Sequence, residues 1–213
     1  MNVYVVLAHP GKHSLNHAIA QAAVDQLRRN GHRVWFHDLY EERFDPILTV
    51  GEITGRTPPP PEIEKHCQEV SAADGLVVVH PNWWGQPPAI LKGWIDRVLR
   101  DGVAYEFVET PGSPPGIGTP RGTLKATVAL VINTGNTPRD REIREFGDPL
   151  EQIWGPDIFQ FCGVKKFHRE SFSSVIAASD EQRHQWLLAV QEMVDRYFPR
   201  VERTGTSSDR LPF

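Results

Sequence analysis

Three short segments of this chain carry residue types that could do chemistry. The first is His9-Pro10-Gly11-Lys12-His13-Ser14-Leu15-Asn16, which follows a short β-branched run and opens a helical pattern. Free N–H groups at a helix start attract phosphate. Ser14 and Asn16 add side-chain donors there, and His9 sits at the tip of the run facing the same crevice. The second segment is His80-Pro81-Asn82-Trp83-Trp84-Gly85-Gln86-Pro87-Pro88. Two adjacent tryptophans flanked by Pro81, Pro87 and Pro88 cannot both enter a core, so at least one should offer its face to a flat ligand or a partner. The Asn82 to Gly85 amides are then expected to meet ring heteroatoms. The third is Asn133-Thr134-Gly135-Asn136, a polar turn with the makings of an anion nest.

Each segment has a plainer account. Ser14 serves as a helix cap, His9 and His13 are solvated, and any strand-to-loop turn resembles the third segment. For Trp94, inside a helical pattern, ordinary packing is the expectation. Neither G-x-G-x-x-G nor G-x-x-x-x-G-K-[ST] occurs.

The elements that must position these segments are five apolar runs: Val3 to Ala8, Arg33 to His37, Gly75 to Val79, Ala126 to Ile132 and Phe167 to Val175. Nearly continuous β-branched and aromatic residues suit strands buried on both faces. Helical patterns lie between them. One runs from an Ser14 N-cap through Arg29 and stops at Gly31; the others span Glu62 to Ala73, Ala89 to Arg100 with Pro88 at the first helical position, and Asp180 to Phe198. Strand–helix alternation implies βαβ units and an α/β doubly wound parallel five-stranded sheet with helices on both faces. In such a sheet, ligands bind beyond the carboxyl ends of the strands, where the three segments would meet. A phosphate cradle, an aromatic wall and an anion nest together suit a flavin. Residues 39 to 61 are expected to be an extended connection ending in four prolines, and 109 to 123 a surface loop.

Composition sets the remaining bounds. At 213 residues, a single domain over 1 to 199 with a flexible tail over 200 to 213 is expected. A net charge of −4 lacks the basic excess of a nucleic-acid binder. Two cysteines, Cys67 and Cys162, suit a reducing compartment. No apolar stretch reaches the roughly 18 residues of a membrane span, and no signal-peptide pattern opens the chain, so a cytoplasmic protein is expected.

The segment Pro81-x-x-Trp84-x-x-x-Pro88-Ala89-Ile90-Leu91-Lys92-Gly93-Trp94 resembles the flavin-wall signature of the flavodoxin-like NAD(P)H:quinone oxidoreductases, the group of DT-diaphorase and its bacterial quinone reductase and drug-modulator relatives. Supporting matches are Leu7-Ala8-His9 with Ser14-x-Asn16, Asp38-Leu39-Tyr40, Asp45-Pro46-Ile47, Ile53-Thr54-Gly55, Thr134-Gly135 and Phe161-Cys162-Gly163. The likeness covers Val3 to Phe198. It implies a homodimer with flavin sites at the subunit interface, reduced by NAD(P)H and reoxidised by a quinone in one ping-pong pocket. By that likeness His9, Leu15 and Asn16 hold the phosphate side of the flavin, and Asn82, Trp83, Trp84 and Gly85, with Pro81, hold its ring. Asn133, Thr134, Gly135 and Asn136 complete the ring site, while Tyr105 and Phe107 close over the substrate from the partner subunit.

Two departures stand out. Residues 137 to 149 contain neither the Tyr nor the His that assists charge shift in the animal enzymes, so no catalytic side chain carries over; Arg139 or Arg141 is a candidate source of positive charge, with solvated loop residues the plainer expectation. The loop around 55 to 62 is shorter and lacks the adenine contacts. FAD is the expected cofactor, with FMN the alternative. A one-electron carrier and a flavin-bearing regulatory subunit of a membrane transporter are the competing functional readings, the carrier disfavoured by the modest net charge.

Overall fold

The computed structural model describes residues 1–109, 112, 114 and 118–201. Five parallel strands form the sheet in the order β2-β1-β3-β6-β7: β1 Asn2–Leu7, β2 Arg33–Asp38, β3 Gly75–Pro81, β6 Val128–Thr134 and β7 Lys166–Phe172. This is the expected doubly wound architecture. The three central strands are buried on both faces, which is why they read as unbroken apolar runs. Side chains alternate between the faces, so Tyr4, Val6, Leu76, Val78 and Val131 enter one core and Val3, Val5, Leu7, Val77 and Ile132 the other. The edge strands carry Arg33 and Lys166, exposed charges that discourage edge-to-edge pairing.

Helix α1, Leu15–Arg29, is capped by Ser14, and α7, Asp180–Tyr197, by Ser179; both cover the second core. The first core lies under α3, Pro61–Ala72, and α4, Ala89–Val98, where Trp94 is buried as packing predicts. Gly93 is required in α4, since a Cβ there would stand 2.3 Å from Pro46 Cβ.

Several expectations need correction. Pro88 is the N-cap of α4 and not its first helical residue, while Pro61, assigned to the extended run, opens α3. A proline lacks only an N–H that a helix start leaves unpaired anyway, so the last of four prolines can begin a helix. The connection over 39 to 61 contains a helical turn, α2, Val50–Ile53, held by a Thr49–Glu52 capping box. Part of the 109 to 123 loop is strand: β5, Thr119–Gly122, pairs antiparallel with β4, Tyr105–Val108; the rest falls largely outside the described residues. The run at Phe167 to Val175 leaves the sheet at Phe172 and closes in a 3₁₀ turn, Val175–Ala177. After β6 come α5, Arg139–Phe146, α6, Pro149–Gln152, and a π-helical segment, Ile153–Gln160, around Pro156; none shows an apolar period strong enough to read in sequence. The tail beyond Val201 lies outside the described residues, and no described helix is long and apolar enough to cross a membrane.

Candidate functional site at the strand tips

The carboxyl ends of β1, β3 and β6 are neighbours, and two adjoining cavities open above them. The first, about 250 Å³, is bordered by the predicted residues His9, Ser14, Leu15, Asn16, Pro81, Asn82, Trp83, Thr134, Gly135 and Asn136. The second, about 350 Å³, shares Asn82, Gly135 and Asn136 with it and adds Trp84 and Gly85. That volume lies within the range of small-molecule sites.

At the first cavity, the α1 N-terminus presents the backbone N–H groups of Leu15 and Asn16, which have no acceptor among the described residues. Ser14 is engaged as the cap: its hydroxyl takes the His17 N–H and lies 2.9 Å from His17 Nδ1, so it is not the phosphate donor expected. His17 Nε2 is in turn anchored 2.9 Å from Asp38 Oδ2. Asn16 also departs from expectation, because its amide nitrogen donates to Thr134 Oγ1 at 2.8 Å. What it leaves open is the buried, unpartnered acceptor Oδ1. His9 Nδ1 lies 3.0 Å from Gly11 N and 3.3 Å from Gly11 O, so the Gly11 backbone holds the ring through that nitrogen in either tautomer and leaves Nε2 toward the crevice. Burial lowers the His9 pKa, which favours the neutral ring.

The aromatic wall is built by a hairpin turn. Trp83 N–H and Gln86 N–H bond reciprocally to each other's carbonyl at 3.1 Å, and the two central residues have positive φ, 59° at Trp84 and 70° at Gly85. Both signs match a type I′ turn. Glycine suits that conformation; a bulky Trp does not, and a left-handed bulky residue marks stored strain that usually has a functional reason. The turn leaves the Trp84 ring 100% exposed. Its floor is Asn82, whose Oδ1 accepts the Gly85 N–H at 2.9 Å and whose Nδ2 donates to Glu142 at 3.0 Å. The Asn82, Trp83 and Gly85 amides are thus engaged within the chain, contrary to expectation.

The anion nest is largely absent. Gly135 N–H donates to Phe172 O at 2.9 Å, because β7 extends the sheet past this turn, and Asn136 Oδ1 accepts from Ile176 N–H. Asn133 turns toward β7: its amide bonds Ser171 and Arg169, so it borders neither cavity. Tyr105 and Phe107 lie on the β4–β5 hairpin and border neither cavity within one chain. Arg139 is paired with Asp148 and Arg141 with Glu145; neither reaches the site.

Residues that sequence reasoning missed complete the second cavity: Thr137, Glu142, Phe146, Pro149, Ser171 and Ser173. The strand-tip rule, extended to β7, points to Ser171 and Ser173. Glu142 carries no signal, since a glutamate in a charged helix reads as solvated, yet it is buried.

Comparison with known proteins follows this geometry. A family model described as "Flavodoxin-like fold" matches residues 1–194. An uncharacterized NAD(P)H oxidoreductase of Haemophilus influenzae is 32% identical over 188 residues, covering 86% of this chain and 89% of that protein. NAD(P)H dehydrogenase [quinone] 1 of Cavia porcellus is 37% identical over 183 residues, 76% of this chain; the match spans 64% of the relative's length. The NAD(P)H:quinone oxidoreductase of Methanothermobacter marburgensis superposes with a TM-score of 0.78 at 26% identity, over 95% of this chain and 99% of that one. With the model matched over nearly the whole sheet and both covering layers, the chain belongs to the flavodoxin-like fold family, among relatives named as NAD(P)H and quinone oxidoreductases.

Proposed function

We propose that this chain is a flavin-dependent oxidoreductase that passes two electrons from NAD(P)H to a quinone or similar acceptor, in a ping-pong cycle within one pocket. The observation that carries the reading is Trp84, fully exposed and held at φ 59° at the mouth of a cavity continuous with a helix N-terminus. The residues present fit a flavin: an orphaned buried acceptor, two unpaired helix N–H groups and an uncovered indole stand along one crevice.

When bound, a flavin supplies hydride acceptance and donation; the protein supplies place and charge. Leu15 and Asn16 N–H would hold a phosphate at the positive end of α1, with His9 beside them. Asn16 Oδ1 takes a hydroxyl donor. The buried Glu142, oriented by Asn82, would offer an acceptor to the ring. Trp84 walls the ring and excludes water from one side. Tyr105 and Phe107 border neither cavity in one chain, so a role over the substrate requires delivery by the partner of a homodimer. FAD is the cofactor proposed, with FMN as the other outcome of heat release and identification.

The purified protein, incubated with FAD or FMN, is expected to show flavin absorption bands and to oxidise NADH or NADPH with a soluble quinone. Absence of flavin bands overturns the proposal; a flavin-loaded protein without turnover leaves a carrier or regulatory role in its place. Trp84→Asn tests the wall. It converts the turn centre to Asn-Gly, the preferred type I′ pair, so folding stability should hold or rise by about 1 kcal/mol. Flavin affinity should fall by about 1–3 kcal/mol, by analogy with loss of a base-stacking aromatic. Unchanged affinity by fluorescence titration would remove Trp84 from the site.

A further inference from the structure

A second polar cluster, separate from the strand-tip cavities, lies beneath the tip of β2. His37 is the penultimate residue of that strand, Glu42 lies in the turn after it, and His66 projects from α3. His37 and His66 are nearly inaccessible, their rings 4.2 Å apart, while the Glu42 side chain is 36% exposed. The Glu42 carboxylate sits between the two rings, Oε1 2.8 Å from His37 Nδ1 and Oε2 3.2 Å from His66 Nε2. One ligand atom from each of the three residues falls within 4.8 Å of the others, and among the described residues no other group of three or more does so.

We propose that His37 Nδ1, His66 Nε2 and the Glu42 carboxylate form a Zn²⁺ site with a fourth position open to water. Two imidazoles and one carboxylate are a Zn²⁺ ligand set. Tetrahedral Zn²⁺ with bonds of about 2.0–2.1 Å separates its ligand atoms by about 3.3 Å; the two nitrogen–oxygen spacings lie near that value, and all three ligand atoms fall within 4.8 Å, so side-chain adjustment alone brings them to it. The outer contacts suit a metallated His37 as they stand, and those of His66 once its ring proton moves to Nδ1, which now takes a 3.4 Å contact from Trp94 Nε1–H. With His37 bound through Nδ1, its Nε2–H donates to Glu69 Oε2 at 2.5 Å, the carboxylate–histidine–metal arrangement. With His66 bound through Nε2, its Nδ1–H donates to Tyr4 Oη at 2.5 Å, and that oxygen also accepts Trp94 Nε1–H at 3.0 Å. The Tyr4 hydroxyl proton then loses its acceptor, a cost the ion has to offset. Glu42, the exposed member, is the way in. An ion here ties the β2 tip and its following turn to α3, and it does so whether or not a flavin occupies the other site.

The test uses the full chain, stripped with a chelator and titrated with Co²⁺ as a spectroscopic probe and Zn²⁺ as competitor. One equivalent of Co²⁺ should bind with the visible d–d bands of a four-coordinate ion, Zn²⁺ should abolish them, and Tm should rise with Zn²⁺ concentration. Glu42→Gln, isosteric at a half-exposed position, should weaken binding at least tenfold, and His66→Gln should abolish it. Glu69→Gln should weaken it by about 10–100-fold. His13→Gln, at an exposed histidine, should change nothing. No stoichiometric uptake, or uptake that Glu42→Gln leaves unaltered in a folded variant, overturns the proposal and reduces the cluster to hydrogen-bonded packing.

Discussion

Glu52→Ala is expected to lower folding stability by about 3 kcal/mol, the low end for removing one partner of a buried ion pair, because Arg97 Nη1 keeps the exposed Asp45 carboxylate at 3.3 Å. Arg97 of α4 and Glu52 of α2 are each only 2% exposed at the side chain, and the guanidinium meets both carboxylate oxygens, Nη2 at 3.0 Å from each and Nε at 3.2 Å from Oε1. Arg97 Nη1 also donates to Asp45 O at 2.7 Å, so one side chain pins the connection after β2 onto the helix behind the Trp turn. The substitution also removes the capping box that starts α2. Urea denaturation should show the loss. Glu52→Gln, which keeps the shape and most hydrogen bonds, should lose less, and a Glu52→Leu, Arg97→Met pair should recover much of the deficit, because apolar replacement of a buried ion pair is often neutral. A loss below about 1 kcal/mol for Glu52→Ala would show that solvent reaches Arg97.

The second large effect concerns acid. His80, at the end of β3 and fully buried, donates from Nδ1 to Pro81 O at 2.8 Å and accepts Trp154 Nε1–H at Nε2, 2.9 Å away. Burial, with a smaller push from Arg169, takes its pKa from 6.5 down to about 4. The unfolded chain therefore binds this proton first on acidification. The stabilisation is complete above about pH 6.5 and is lost as pH falls toward 4, about 3 kcal/mol over the window. Other groups titrate too, so the diagnostic quantity is the difference between wild type and His80→Gln in urea midpoint at pH 7.5 and pH 5. That difference should shrink on acidification; parallel profiles would show that His80 is not held neutral. Since His80 immediately precedes Pro81, acid loosening should begin at the aromatic wall.

The legible part of this protein follows from local periodicity. β1, β3 and β6 announce themselves because burial on both faces leaves only apolar residues, and α1 because Ser14, an apolar stripe and Gly31 bound it. That the three segments lie at the strand tips was legible, since the ends of β1, β3 and β6 follow from the strand pattern. Their atoms were less so. Asn16 reads as a donor until Thr134, 118 residues away, takes its amide, and Gly135 reads as a free nest until Phe172 takes its N–H. Tyr105 and Phe107 rest on the likeness alone, for their hairpin stands apart from both cavities.

From the sequence alone came the class of sheet, the order of its elements and the three segments that meet at its tips, because 2-residue and 3.6-residue burial periods are written along the chain. Only the tertiary structure decided which polar atoms in those segments remain open, that Glu142 is buried at the second cavity, that Trp84 is strained and uncovered, and that His37, Glu42 and His66 converge. A hydrogen-bonding side chain shows its chemistry in sequence but not its partner, and strand order chooses the partner by bringing together residues that the chain keeps far apart.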